Sequence, residues 1–210
     1  MAKEKRDNQT EKLVLEAAMK VFTQKGYAAA RMDDIAKEAN INRALLHYYF
    51  RSKDKMFDLI FEQKVKEFFS GLGQILFSDR KLEDVIREMV KHEITLIVAN
   101  PYLPLFVLQE LQQSPERLLT HAKASGMSPN LILKRFSVLV NDAIRSKTIN
   151  KIEPGQLLIN IMSLCIYPMI AKPVLKSVLE LDDKKFEKMM TQRIEQVSEF
   201  ILLSIKPTSK

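Results

Sequence analysis

The 210-residue chain has no tryptophan, one cysteine and only five glycines. A single thiol, Cys165, excludes an internal disulfide framework and a cysteine-based zinc site. It sits in an apolar run and reads as inert core, because burial raises a thiol pKa. Glycine occurs in no phosphate-cradling loop and in no Gly-x-Ser-x-Gly elbow. The three histidines, His47, His92 and His121, are far apart, and there is no Glu-x-x-His pair, so a di-iron carboxylate site lacks its ligands. These absences argue against an enzyme, and no metal or cofactor is expected. Long hydrophobic runs are also missing. The longest, Leu157 to Ala171, is interrupted by Asn160, Ser163 and Pro168 and is too short to span a bilayer. The first residues, MAKEKRDNQTEK, are charged and contain no apolar signal region, so a cytoplasmic protein that does not enter a membrane is expected.

Present in quantity are apolar residues (46%) and positive charge, a net +7. That apolar fraction supports a sizeable core in one large or two small domains. The charge allows an anionic partner. It is uneven: residues 1–55 hold twelve Lys or Arg against eight Asp or Glu. After a charged arm at residues 1–7, apolar spacing predicts a helix over about 8–25, ended by Gly26, and a short helix over about 32–39. Asn40 follows, a residue that tolerates the left-handed conformation a tight turn requires.

Residues 41–55, INRALLHYYFRSKDK, carry four cations and one anion. Asn42 is a good N-cap, residues 43–50 permit two helical turns, and Ser52 caps the next helix with Asp54 in its first turn. Leu46, Tyr49 and Phe50 share an apolar side, whereas Arg43, His47 and Tyr48 face away from it. Helix, turn and helix at this spacing make a helix-turn-helix over about residues 31–50, whose second helix enters the major groove.

Three segments at these spacings, Phe22–Gly26–Tyr27, Ile35–Ala36–Ala39–Asn40–Ile41 and Asn42–Arg43–Ala44–Leu45–Leu46–His47–Tyr48–Tyr49–Phe50–Arg51–Ser52–Lys53, resemble the signature of the TetR-type transcriptional regulators. The resemblance covers about residues 8–60. It departs at Ala30 and Arg31, where the family usually has Thr, at Asn40 and Ala44, which replace Gly, and at His47, which replaces Tyr. It implies an all-α protein: a three-helix DNA-binding domain over residues 8–55, joined by a long helix to a helical effector-binding and dimerisation domain over residues 56–210. On this reading Arg31, Arg43, Ala44, Leu45, His47, Tyr48 and Lys53 form the DNA-contacting set, with Lys53 on a phosphate. The partners are double-stranded palindromic DNA and a second copy of the chain, with recognition helices about 34–36 Å apart.

The long helix is expected from Asp54 to about Leu72, with Gly71 and Gly73 loosening its end. Ser78–Asp79 are expected to cap a helix over about 82–99. Further helices are expected over about 103–113, 115–123, 129–147, 154–172 and 182–205, with a loop at Ser125–Gly126. Nothing reads as a strand. By resemblance, a small-molecule effector of apolar or amphipathic character binds in the second half, with Phe68, Met89, His92, Phe106 and Phe136 as candidates, and acts as a repressor's release signal. Leu158, Met162, Ile166, Met190, Val197 and Ile201 are the candidate dimer contacts. The competing reading is a structural or adaptor DNA-binding protein with no effector.

Overall fold

The apolar stripe Val14, Ala17, Ala18, Val21 and Phe22 makes α1 (Ala2–Ala29) a core-facing helix. Its backbone is helical from Ala2, so residues 2–7, expected as an arm, continue the helix. Gly26 breaks it at φ 75°, a conformation open to glycine, and one further turn follows. The computed structural model describes residues 2–113, 115–124 and 128–207; the loop expected at Ser125–Gly126 lies outside the described residues. Helix α2 (Met32–Glu38) ends in a Schellman arrangement: Asn40 sits at φ 53°, with Ile41 N–H on the Ala36 carbonyl at 3.0 Å and Asn40 N–H on that of Lys37 at 3.1 Å. The Asn42 side chain caps α3 (Arg43–Tyr49) at the Leu45 N–H, 2.7 Å, and Ser52 caps α4 (Lys53–Leu76) at the Lys55 N–H, 3.2 Å.

Helix α4 runs for 24 residues, roughly 36 Å at 1.5 Å per residue. It does not loosen at Gly71 and Gly73. At Gly71 the missing side chain instead lets the His92 ring close in: a Cβ there would lie 2.1 Å from its Cε1. His92 Nε2 lies 3.2 Å from the Phe68 carbonyl, a spacing at which an Nε2–H donates to it. At the far end Arg135 Nε donates to the Leu76 carbonyl at 2.8 Å, a cation at the negative end of the helix.

Helix α5 (Leu82–Ala99) starts at Lys81 without a side-chain cap; the expected cap Ser78 donates to the Ile75 carbonyl of α4 instead. The chain then turns 98° around Pro101 into α6 (Leu103–Gln113). Helices α7 (Pro115–Ala124) and α8 (Pro129–Arg145) follow. The expected single helix over 154–172 is two, α9 (Pro154–Ile170) and α10 (Lys172–Val178), meeting at 72° about Ala171. Last comes α11 (Asp183–Ile205), capped by the Asp182 side chain. Among the described residues there is no strand, and no single helix is long and apolar enough to cross a membrane.

One apolar core runs from Val14 to Ile205 through both halves. Helix α5 packs between α4, α9 and α11. This placement corrects part of the expected dimer set. Met190, Val197 and Ile201 are buried within the chain, because that stripe of α11 faces its own core. The outward stripes of α9 and α11 instead present Ile159 and Tyr167, and Phe200 and Leu203.

Buried among these helices is a carboxyl, Glu93 of α5, 1% exposed. Its oxygens have no partner among the described residues apart from the weak thiol donor of Cys165 on α9. Burial pushes this carboxyl up to about 7 from 4.5, and the Cys165 thiol far above its ordinary value. The folded chain therefore holds a proton that the unfolded chain releases between about 4.5 and about 7, so stability falls as pH rises through that window. Glu93→Gln removes this dependence: the wild-type Tm is expected to fall behind that of the variant by several degrees between pH 5 and pH 8 in thermal scans.

Candidate nucleic-acid interface

Helix α3 is seven residues long and buries one of them, Leu46. The outward side presents Arg43, Ala44, Leu45, His47 and Tyr48, all exposed, Tyr48 at 73%. The helix holds them there because Leu46 and the following Phe50 anchor its other side in the core. Arg43 is braced across the surface: Nη1 lies 3.4 Å from an Asp33 carboxylate oxygen of α2, and Nε donates to His47 Nε2 at 3.4 Å. Tyr48 meets Tyr49 edge-on at 5.2 Å. Arg31 is exposed at the N-cap of α2. Its side chain caps nothing, but the Asp34 carboxylate takes its backbone N–H at 3.1 Å and the Lys25 ammonium at 2.7 Å. Those two partners hold the Asp34 carboxyl below its ordinary value, the Lys25 contact most. The same pair ties α2 to α1, as does the contact between Lys20 and Glu38.

Lys53 is placed differently from the rest of its set. Its ammonium donates to the carbonyls of Tyr27 (2.8 Å), Ala30 (3.1 Å) and Ala28 (3.4 Å), and lies 4.5 Å from the centre of the Tyr27 ring. A lysine has three N–H donors, and all three are directed at the end of α1. The first turn of α4 is thereby clamped to the last turn of α1, and a phosphate contact would have to compete with these carbonyls. Nothing in the sequence pattern distinguishes such a clamp from a phosphate ligand.

The five side chains expected to line an effector site do not come together. Phe106 lies in an aromatic junction with Phe22 of α1 (6.4 Å) and Phe57 and Phe61 of α4 (4.9 and 5.9 Å between ring centres). Met89 and Phe136 are wholly buried core. His92 sits between α4 and α5 beside an open cleft. Phe68 alone of the five lines the apolar cavity, about 230 Å³, that opens to solvent between α4, α5, α6 and α9. Its floor is Val65, Phe69, Leu96, Ile97, Leu103 and Pro104, all buried, and its rim includes Val107, Leu108 and Leu111 of α6. Met162 and Ile166, expected at a dimer contact, line this cavity too, because they share a face of α9 with Ile170. Leu158 is half-buried against the core. The sequence marks 103–113 as a short apolar helix, which does not tell a packed wall from a hollow one.

A short exposed polar helix set on a second helix, with a cavity-bearing helical body behind it, defines a helix-turn-helix DNA-binding protein. The comparisons agree. Residues 14–60 match the family model "Bacterial regulatory proteins, tetR family". The HTH-type transcriptional regulator YhgD of Bacillus subtilis strain 168 is 27% identical over 190 residues, 81% of this chain and 92% of that one. The biofilm operon icaADBC HTH-type negative transcriptional regulator IcaR of Staphylococcus aureus strain Newman is 30% identical over 106 residues, 49% of this chain and 54% of that one. The fold is shared with the ketosteroid transcriptional regulator KstR2 of Mycobacterium tuberculosis, TM-score 0.71 at 16% identity over 94% of this chain and 95% of that one. Residues 14–60 carry the match to the tetR family, and the chain is a DNA-binding transcriptional regulator.

Lys53→Ala leaves up to three carbonyls at the end of α1 without their donor. It is expected to destabilise the fold by about 1–3 kcal/mol, read as a lower urea midpoint with unchanged slope.

Proposed function

We propose that the protein is a repressor that binds a palindromic operator as a homodimer in the cytoplasm and leaves it when a small apolar or amphipathic molecule enters the cavity behind α4. The observation that carries the reading is the sharing of α4. Its first turn is clamped by Lys53 to the end of α1, and one face of its middle lines the cavity with Val65, Phe68 and Phe69. A ligand that fits the cavity better in one arrangement of α4 than in the other shifts the population toward that arrangement. Repression is supported by the IcaR relative, described as a negative regulator. The regulator acts by binding rather than by catalysis.

In this reading Arg43 contacts a guanine edge or a phosphate, Leu45 packs on a thymine methyl, Ala44 allows close approach, and His47, Tyr48 and Arg31 reach phosphates or base edges. Anisotropy titration of the upstream intergenic DNA at two salt concentrations tests it. Saturable binding that falls with salt is expected. Arg43→Ala should weaken it about tenfold or more and relax specificity, while leaving stability within about 0.5 kcal/mol because the side chain is exposed. One compound from a small-molecule panel should release the DNA. Tight binding that no compound disturbs would favour an adaptor without an effector.

The second copy is assigned to the outward stripes of α9 and α11: Ile159 and Tyr167, and Phe200 and Leu203, the last pair 64% and 63% exposed. Phe200→Glu should turn a dimer into a folded monomer in sedimentation analysis. Met190→Glu should instead unfold the chain, because that side chain is in the core.

A further inference from the structure

The guanidinium that opens α3 is held from two sides. Arg43 Nη1 lies 3.4 Å from each oxygen of the Asp33 carboxylate on α2. Its Nε donates to His47 Nε2 at 3.4 Å, one turn further along α3. Both members of the ion pair face solvent, the side chains of Arg43 and Asp33 being 66% and 54% exposed. An exposed pair of this kind adds little to stability. It has a larger effect on what the guanidinium can reach. An arginine carries five N–H donors. One on Nε and one on Nη1 are engaged, which leaves the second on Nη1 and both on Nη2 for a ligand.

We infer that Asp33 is a positioning residue that commits Arg43 to a guanine edge and keeps it off the phosphates. The inference rests on the DNA-contacting role proposed above for Arg43 and chooses between its two targets. Neighbouring donors on Nη1 and Nη2 match the O6 and N7 acceptors that guanine presents in the major groove. Those acceptors carry no net charge, so a carboxylate beside the guanidinium does not oppose the contact. A phosphate is an anion: Asp33 repels it, and reaching it draws the guanidinium away from its own carboxylate. A side chain already held at two points also loses less rotamer freedom when it enters the groove. Phosphate contacts carry no sequence information, whereas base-edge contacts do. An anion next to the recognition arginine therefore lowers affinity for DNA in general and raises discrimination at one base pair. Asp33 itself touches no base; it acts through Arg43.

The test uses the full-length protein and its Asp33→Asn, Asp33→Glu, Arg43→Ala and Asp33→Asn/Arg43→Ala forms. Each is mixed with a library of DNA duplexes carrying random inserts, and the bound pool is sequenced. Affinity for one scrambled duplex is measured by anisotropy over a range of salt. The wild type is expected to enrich a guanine at one position of each half-site, and Arg43→Ala to lose that enrichment. Asp33→Asn should lower it about fivefold or more at that position alone, because the bidentate contact is no longer enforced. The same variant should bind the scrambled duplex about threefold more tightly, with a salt slope steeper by about one per protomer, the signature of an added phosphate contact. Asp33→Glu, which keeps the charge, should stay close to the wild type. In the Arg43→Ala background, Asp33→Asn should leave the base preferences unchanged. If Asp33→Asn shifted affinity for every sequence alike, or left both the guanine enrichment and the salt slope as in the wild type, Asp33 would be an ordinary surface ion pair and the inference would fall alone. Guanine enrichment that survived Arg43→Ala would remove the Arg43 contact from the proposed function, and the inference with it.

Discussion

The ring of Phe106 enters the DNA-binding unit from α6 and meets Phe22 of α1 and Phe57 and Phe61 of α4 at 4.9–6.4 Å. Tyr27 joins the same group, 4.8 Å from Phe57 and 5.8 Å from Phe22, and His121 of α7 meets Phe61 at 5.6 Å. Aromatic pairs at these separations contribute beyond the area they bury, and the interior around them is packed too closely to deform gradually. One polar contact crosses between the helices here: Gln109 Nε2 donates to the Thr23 carbonyl at 3.3 Å, while the Thr23 hydroxyl donates to the Met19 carbonyl of its own helix at 2.8 Å. The helix-turn-helix is thus not a head on a flexible neck. It is seated on α6, and the other face of α6 walls the apolar cavity. Between the cavity-lining face of α6 and the end of α1 lies one layer of side chains, that of Phe106 and Phe22.

The polar features of the molecule serve this seating. Lys53 clamps α4 to α1, and Lys25 and Asp34 clamp α1 to α2. Arg135 holds the far end of α4. His92, admitted by Gly71, braces the middle of α4 from α5. Helix α4 is thus held by named contacts at both ends and in its middle. Glu93 stands apart. A buried carboxyl with almost no hydrogen-bond partner lowers stability at neutral pH, and it lies where α5 meets α9.

Much of the DNA-binding unit was legible in the sequence, because it is made of local signals. The Asn42 and Ser52 caps, the turn at Asn40 and the apolar side of α3 each lie within a few residues of what they act on. Lys53 was not legible: its partners are 23 to 26 residues away, and a cation beside a recognition helix looks the same in sequence whether it meets a phosphate or a carbonyl. The break at Ala171 did leave a signal, Pro173, which sits in the first turn of α10 as proline favours and marks a new helix start. In the second half, periodicity identified apolar stripes but not which stripe faces which neighbour. Phe106, Met89 and Phe136 are expected at a cavity but are solid core, whereas Phe68 lines it. Met190, Val197 and Ile201 carried the apolar signal of α11, but burial against α5 had already used it.

Native-state hydrogen exchange of wild type and Phe106→Ala tests most directly whether the DNA-binding unit and the cavity-bearing body behave as one mechanical unit. The account predicts that in the wild type the slowest amides of α1 and α4 open with those of α6, and that Phe106→Ala lowers the opening free energy of all three by about 3–5 kcal/mol, as expected for deleting a buried phenyl ring. If the α1 amides of the wild type instead opened at a lower free energy of their own, unchanged by Phe106→Ala, the two halves would be uncoupled and the account would be contradicted.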